Sequence, residues 1–161
     1  METLSFDLLQ FLYHLALAIL VGGSLVLGTA VAPVLFASSR SRAEAGALFG
    51  TVLARFDGLA IFSVIVLTIT SVFKALGFEV IGVPDTRLVL RWFALAALSV
   101  ATLYSSAWAN PVARQIRAAT AGFDEQPQSS PARTEFARLH ERSRRAMSVA
   151  VVFGLFALFL G

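Results

Sequence analysis

Cysteine is absent from this chain of 161 residues, and methionine occurs only at Met1 and Met147. No disulfide, thiolate nucleophile or Cys-based zinc or iron–sulfur site is available, and the soft ligands that suit copper(I) are nearly missing. Charge is scarce as well: Asp, Glu, Lys and Arg make up 14% of the residues, where a soluble domain carries about 25%. Lysine appears once, at Lys74, so 12 of the 13 basic residues are Arg, set mainly beside apolar runs. The net charge of +3 and pI near 10.2 therefore read as the orientation signal of a membrane protein and exclude a nucleic-acid partner.

Hydrophobic residues fill 57% of the chain, a surplus too large for a water-facing exterior. Leu8 to Ala37 holds no Asp, Glu, Lys or Arg, and about 20 apolar residues suffice to cross a bilayer core. The acidic start, Glu2 to Asp7, lacks the positive n-region of a cleavable signal, and Pro33 follows the small-x-small triplet Ala30-Val31-Ala32. The segment is therefore expected to be a retained helix. Further apolar runs predict four spans at about 8–37, 59–78, 88–113 and 144–161, with connections at 38–58 and 114–143. They form one membrane domain, 1–161. Lys74, Glu79 and Asp85 flank a short Gly- and Pro-containing connection between spans two and three.

Ten Arg lie in the connections 38–57 and 114–145, against Lys74, Arg87 and Arg91 on the other side. This asymmetry predicts a cell (inner) membrane protein with both Arg-rich connections in the cytoplasm and both termini outside. Trp92 and Trp108, about 24 Å apart along a helix, and Tyr13 near the outer end of span one fit aromatic belts. Ser41-Arg-Ala-Glu44 reads as a capping box. Ala45, Leu48, Phe49, Val52, Leu53 and Phe56 then follow at helical spacing, as an amphipathic cytoplasmic helix lies at the inner interface or leads into span two. Gly122 to Pro131 reads as a loose loop, after which Ser130 as N-cap and Pro131 start a helix toward span four. Val31-Ala-Pro33-Val34 and Ala109-Asn-Pro111-Val112 end spans one and three alike. The expected fold is all-α, an up-down four-helix transmembrane bundle of two similar hairpins.

Few residues are candidates for chemistry. His14 lies about two turns inside span one, where an ionisable side chain faces a cavity or partner, or is neutral and bonded to a backbone carbonyl or hydroxyl. His140 lies in the cytoplasmic Arg-rich helix, too far from His14 to share a metal or an axial haem within one chain. Asp57, at the entrance to span two, is expected to pair with Arg144 or Arg145 and lock the hairpins, or locally with Arg55. Ser99, Thr102, Ser106 and Asn110, with Tyr104 and Ser105 nearby, give span three a polar face, and Ser63, Thr70 and Lys74 do the same for span two. Such stripes line a solute path or bond helices together. Gly22, Gly23, Ser24, Gly28 and Ala32 offer close helix approach. No nucleophile–base pair, phosphate loop or carboxylate dyad is present, so neither an enzyme, a metal nor a cofactor is expected.

Several segments together resemble the small four-span membrane domain of unknown function that includes transmembrane protein 205. They are Phe11-Leu-Tyr-His14-Leu-Ala-Leu-Ala, Val21-Gly-Gly23, Val31-Ala-Pro33-Val-Leu-Phe36, Ala45-Gly-Ala-Leu-Phe49, Arg55-Phe56, Asn110-Pro111 with Arg114 and Arg117, and Phe136-Ala-Arg-Leu-His140-Glu-Arg-Ser143. The resemblance implies a helical integral membrane protein without an established activity. The opening is also similar to the His-plus-Gly-Gly helix of copper resistance D membrane proteins, without their Cys and Met. Two functions follow as expectations: a small solute or ion bound or passed at a polar site between helices, in a homo-oligomer, or a structural or regulatory subunit docking a partner or anionic lipid through the Arg-rich face.

Overall fold

A computed structural model describes residues 2–80 and 82–161, with side chains from Leu4 onward; Met1 lies outside these. No strand occurs among the described residues. The elements are α1 (Glu2–Val26), α2 (Ala32–Ser38), α3 (Arg42–Lys74), α4 (Thr86–Leu103), α5 (Asn110–Ala119) and α6 (Pro131–Leu160). Three π turns, Leu27–Val31, Ala75–Glu79 and Tyr104–Ala109, join α1 to α2, extend α3 and join α4 to α5. Four continuous rods result: Leu4–Ser38, Arg42–Glu79, Thr86–Ala119 and Pro131–Leu160 are each long and apolar enough to cross a membrane.

Local chemistry sets the ends. Ser41 Oγ accepts from the Glu44 amide at 3.1 Å, and Glu44 Oε2 accepts from the Arg40 amide at 2.9 Å, so the box reaches back one residue further than expected. The amphipathic segment is the first part of α3 rather than a separate helix. Pro131 starts α6, but the Ser130 hydroxyl makes no cap bond. Gly82 and Gly122 take positive φ, +86° and +58°, in two of the three connections where the chain reverses. The loop after Gly122 is not loose. Phe123 is buried, with the Arg117 and Arg133 guanidiniums 5.7 and 5.6 Å from its ring and Phe136 edge-on to it, while Arg133 donates to the Asp124 and Gln126 carbonyls.

The π turns before Pro33 and Pro111 have one cause. Proline lacks an N–H and its ring collides with the carbonyl four residues back, so the preceding turn widens. The Ala32 and Asn110 amides bond to the Leu27 and Ser105 carbonyls, five residues back. The likeness of the two proline segments is thus a likeness of backbone.

Adjacent rods run antiparallel, and the closest packing is within the pairs α1–α3 and α4–α6, the two expected hairpins. Tyr13, Ala16, Leu17 and Leu20 of α1 meet Phe56, Ala60, Val64 and Leu67 of α3, Ala94, Leu95 and Leu98 of α4, and Ala150 and Ala157 of α6 in one core. Phe62, Phe73, Phe93, Val152 and Phe159 point outward, as suits lipid and not water. Small residues let the backbones close. A Cβ on Gly154 would stand 2.4 Å from Val21 Cγ2 and 2.9 Å from Leu98 Cδ1, and one on Gly23 2.4 Å from the Phe56 ring. Gly22 and Gly28 face open space, so the glycine stripe of α1 is a socket for Phe56 at Gly23 rather than a continuous helix seam. Gly154→Ala is expected to destabilise the bundle by about 1–3 kcal/mol through overpacking, whereas Gly22→Ala stays within about 0.5 kcal/mol. Thermal unfolding of the two variants in one detergent compares them.

Candidate functional site

The interior carries two polar networks, one near each end of the bundle. At the Arg-rich end Asp57 is 3% exposed. Its Oδ1 accepts from Asn110 Nδ2 at 2.8 Å and its Oδ2 from Arg114 Nη1 at 2.6 Å. Asn110 Oδ1 accepts from Ser143 Oγ at 2.5 Å, and Ser143 Oγ lies 2.7 Å from Ser105 Oγ. With Ser143 donating to Asn110, Ser105 donates to Ser143, so each proton in the chain points toward the Asp57 carboxylate. The network ties α3, α4–α5 and α6 together. All of it is buried except Arg114, whose side chain is 35% exposed and stands at the mouth. The π turn of residues 104–109 places Ser105 in it, and the four-residue step from Asn110 to Arg114 aims both at one carboxylate.

At the end that holds both termini, Lys74 Nζ lies 3.2 Å from Glu79 Oε1, Arg91 Nη2 pairs with Glu79 Oε2, and Lys74 also donates to Gln10 Oε1. Glu79 is five residues beyond Lys74, a separation that the π turn of residues 75–79 brings onto one face. Tyr13 lies beneath, with Lys74 Nζ 4.6 Å and Arg91 Cζ 5.8 Å from its ring centroid. Such cation–π contacts contribute about 0.5–2 kcal/mol each. Lys74, Arg91 and Tyr13 are 1%, 7% and 1% exposed, and neither the Tyr13 hydroxyl nor Arg91 Nε has a hydrogen-bond partner. Nearby, Arg87 donates to the Leu160 and Phe159 carbonyls at the end of α6.

The sequence candidates divide accordingly. Asp57 and Asn110 meet, but neither Arg144, Arg145 nor Arg55 is the partner of Asp57. Arg144 and Arg145 pair with Glu141 on the exposed face of α6, because one and two positions past Ser143 turn away from the core. Ser106 is buried, yet its hydroxyl, like that of Ser63, finds no partner. Tyr104 rests against Trp108, ring centroids 5.3 Å apart, beside an open apolar groove that includes Phe93 and Val100. His14 shares its Nδ1 hydrogen with its own helix, 2.9 Å from the Gln10 carbonyl, and so takes the backbone-bonded alternative. His140 is exposed and stacks on Phe136. Tyr13 is a core residue and not a belt residue. Lys74 and Glu79, expected to flank a connection, lie inside the second rod. The signal for this second network was present in the sequence as lone charges, Lys74 and Arg91, inside apolar runs.

Among the described residues no three of His, Asp and Glu gather as a metal site. Two apolar surface grooves, one including Phe93 and Tyr104 and the other Val152 and Phe159, are lined by no residue of either network.

Fold and networks define a helical bundle of transmembrane form whose interior carries buried ionic groups. The chain belongs to the family described as a domain of unknown function (DUF4149), whose model matches residues 15–121. Asp57, Lys74, Glu79, Arg91, Asn110 and Arg114 fall inside that match, whereas Tyr13 and Ser143 fall outside it. No curated protein and no solved structure matches the chain.

Proposed function

We propose that the protein, without covalent chemistry, binds or passes a small solute or ion through its polar interior, as an assembly of several copies in a cell membrane with both termini outside the cytoplasm. The observation that carries this reading is the pair of buried hydroxyls, Ser63 on α3 and Ser106 on α4–α5, that have no partner and lie between the two ionic networks along their own rods. An unmet buried hydroxyl costs about 1–3 kcal/mol, a penalty that a bound ligand relieves. The likeness to the four-span domain that includes transmembrane protein 205 supports the membrane setting. In vesicles reconstituted with the purified chain, ion-sensitive dyes should report flux above that of empty vesicles. The double variant Ser63→Ala, Ser106→Ala is expected to reduce that flux about tenfold while leaving the fold intact, since it removes only unpaired groups. Flux equal to that of empty vesicles, or unaltered in the double variant, counts against the reading.

A second reading is a structural or regulatory subunit. It is favoured by the side chains of Arg144 and Arg145, 70% and 77% exposed, which together with Arg142 form a basic surface for an anionic lipid or an acidic partner. Neutralising all three should then release what copurifies.

A further inference from the structure

We infer that the network of Tyr13, Lys74, Glu79 and Arg91 is a binding site for a small anionic group. The inference rests on the proposed solute- or ion-binding interior and gives it a place and a sign. Two cations face a single carboxylate inside an apolar bundle, and both are more than nine-tenths buried. A buried charge without a counter-charge is strongly unfavourable, and ionisable groups at membrane depth pair with one another or mark an ion path. Among the described side chains, the other acidic ones at this end, Asp7 and Asp85, are exposed and supply no buried counter-charge.

The hydrogen-bonding pattern gives the same sign. Both carboxylate oxygens of Glu79 and the side-chain carbonyl of Gln10 already accept from Lys74 or Arg91. What remains open is Arg91 Nε, which only donates, and the Tyr13 hydroxyl, which can donate as well as accept. A cation would meet two like charges, whereas an anion would meet unpartnered donors and the surplus positive charge. The occupant is small, since a Cβ on Gly161 would already stand 3.3 Å from the Tyr13 ring and 3.5 Å from its hydroxyl oxygen. A halide, nitrate or single carboxylate has the right size.

A free anion and the phosphate of an anionic lipid share this chemistry, and two arms separate them. In the first, the purified full chain in lipid-free dodecyl maltoside is unfolded thermally while gluconate is replaced by chloride, nitrate or formate at constant ionic strength. In the second, it is unfolded in phosphatidylcholine nanodiscs with and without phosphatidylglycerol. A saturable rise in Tm is expected in at least one arm, and the responding arm identifies the source. Tyr13→Phe, which removes only the unpartnered hydroxyl, should weaken the half-saturation point about ten- to a hundredfold, the loss of one hydrogen bond to a charged group. Thr51→Ala, on the exposed face of α3, should leave it unchanged. Anion stabilisation without vesicle flux would remove the passage reading and keep this site. Flux without saturable stabilisation in either arm, or a Tyr13→Phe chain with the wild-type half-saturation point, would overturn the site.

Discussion

Replacing Glu79 by glutamine is expected to destabilise the protein by about 3–5 kcal/mol, because it leaves two buried cations with no carboxylate between them. Lys74 cannot escape this by snorkelling. Its ammonium is enclosed by Gln10, Glu79 and the Tyr13 and Phe6 rings, and its side chain is 2% exposed. Arg91 is little better placed, at 9%. The glutamine fits the same space, so the loss reports charge and not volume. Exchanging Lys74 for methionine in the same chain removes one of the stranded cations and should restore about half of the loss, a coupling of the size expected for residues in direct contact. Unfolding in mixed micelles of dodecyl maltoside and a denaturing detergent, followed by the fluorescence of Trp92 and Trp108, gives the comparison. A Glu79→Gln chain within about 0.5 kcal/mol of the wild type would show that the two cations are satisfied some other way.

Replacing Asp57 by alanine is the other large effect, expected at about 3 kcal/mol, toward the lower end of the range for breaking a buried pair. The reason for the smaller value is Arg114, whose partly exposed guanidinium can reach solvent or a lipid phosphate once its partner is gone. Asn110 cannot follow, being 4% exposed, and it loses its acceptor while Ser143 continues to donate to its other end. Asp57→Asn keeps an oxygen for the Asn110 amide and should fall between the wild type and Asp57→Ala. A double-mutant cycle with Arg114→Ala separates the charge pair from the amide bond: a coupling energy of at least about 1 kcal/mol is expected, and one near zero would mean that Arg114 is only a lid over the network. The same unfolding measurement reads both sites, and their separation along the bundle makes the two losses additive.

Hydropathy and charge placement made much of this architecture legible. The absence of charge between Leu8 and Ala37, the capping box at Ser41 and the paired proline segments lead to four rods in two hairpins, as found. The buried faces of the second and third rods could also be read, since Ser63, Thr70 and Lys74, like Thr102, Ser106 and Asn110, are interior, with Ser99 half-buried. The pairings could not. Level along the rods points Asp57 to the arginines of α6 and nearness in sequence points it to Arg55, but neither says anything of angle around a rod. Asn110 and Arg114 approach Asp57 because the chain before them widens into a π turn, a backbone event that composition does not announce. Lys74 and Glu79 were hidden for a similar reason: five residues apart, they fall on different faces of a regular α-helix and read as the rim of a loop. Phe123 was concealed in a stretch rich in Gln, Ser and Pro, where one buried ring and two guanidiniums hold a segment that otherwise has the composition of a tether.

The widened turn at residues 104–109 also makes the Arg-rich network sensitive to how the backbone before it is wound and not only to which side chains it carries. A π turn takes up one residue more than the α-helical turn it replaces, so winding Tyr104–Ala109 as regular α-helix with its length kept would rotate everything after it by about 100° about the rod axis. Asn110 and Arg114 would then swing away from Asp57 with every one of their atoms intact and hydropathy unchanged. The width of this turn acts as the key to the network, and a chain wound evenly here would be misaligned where a profile of its side chains would show nothing amiss.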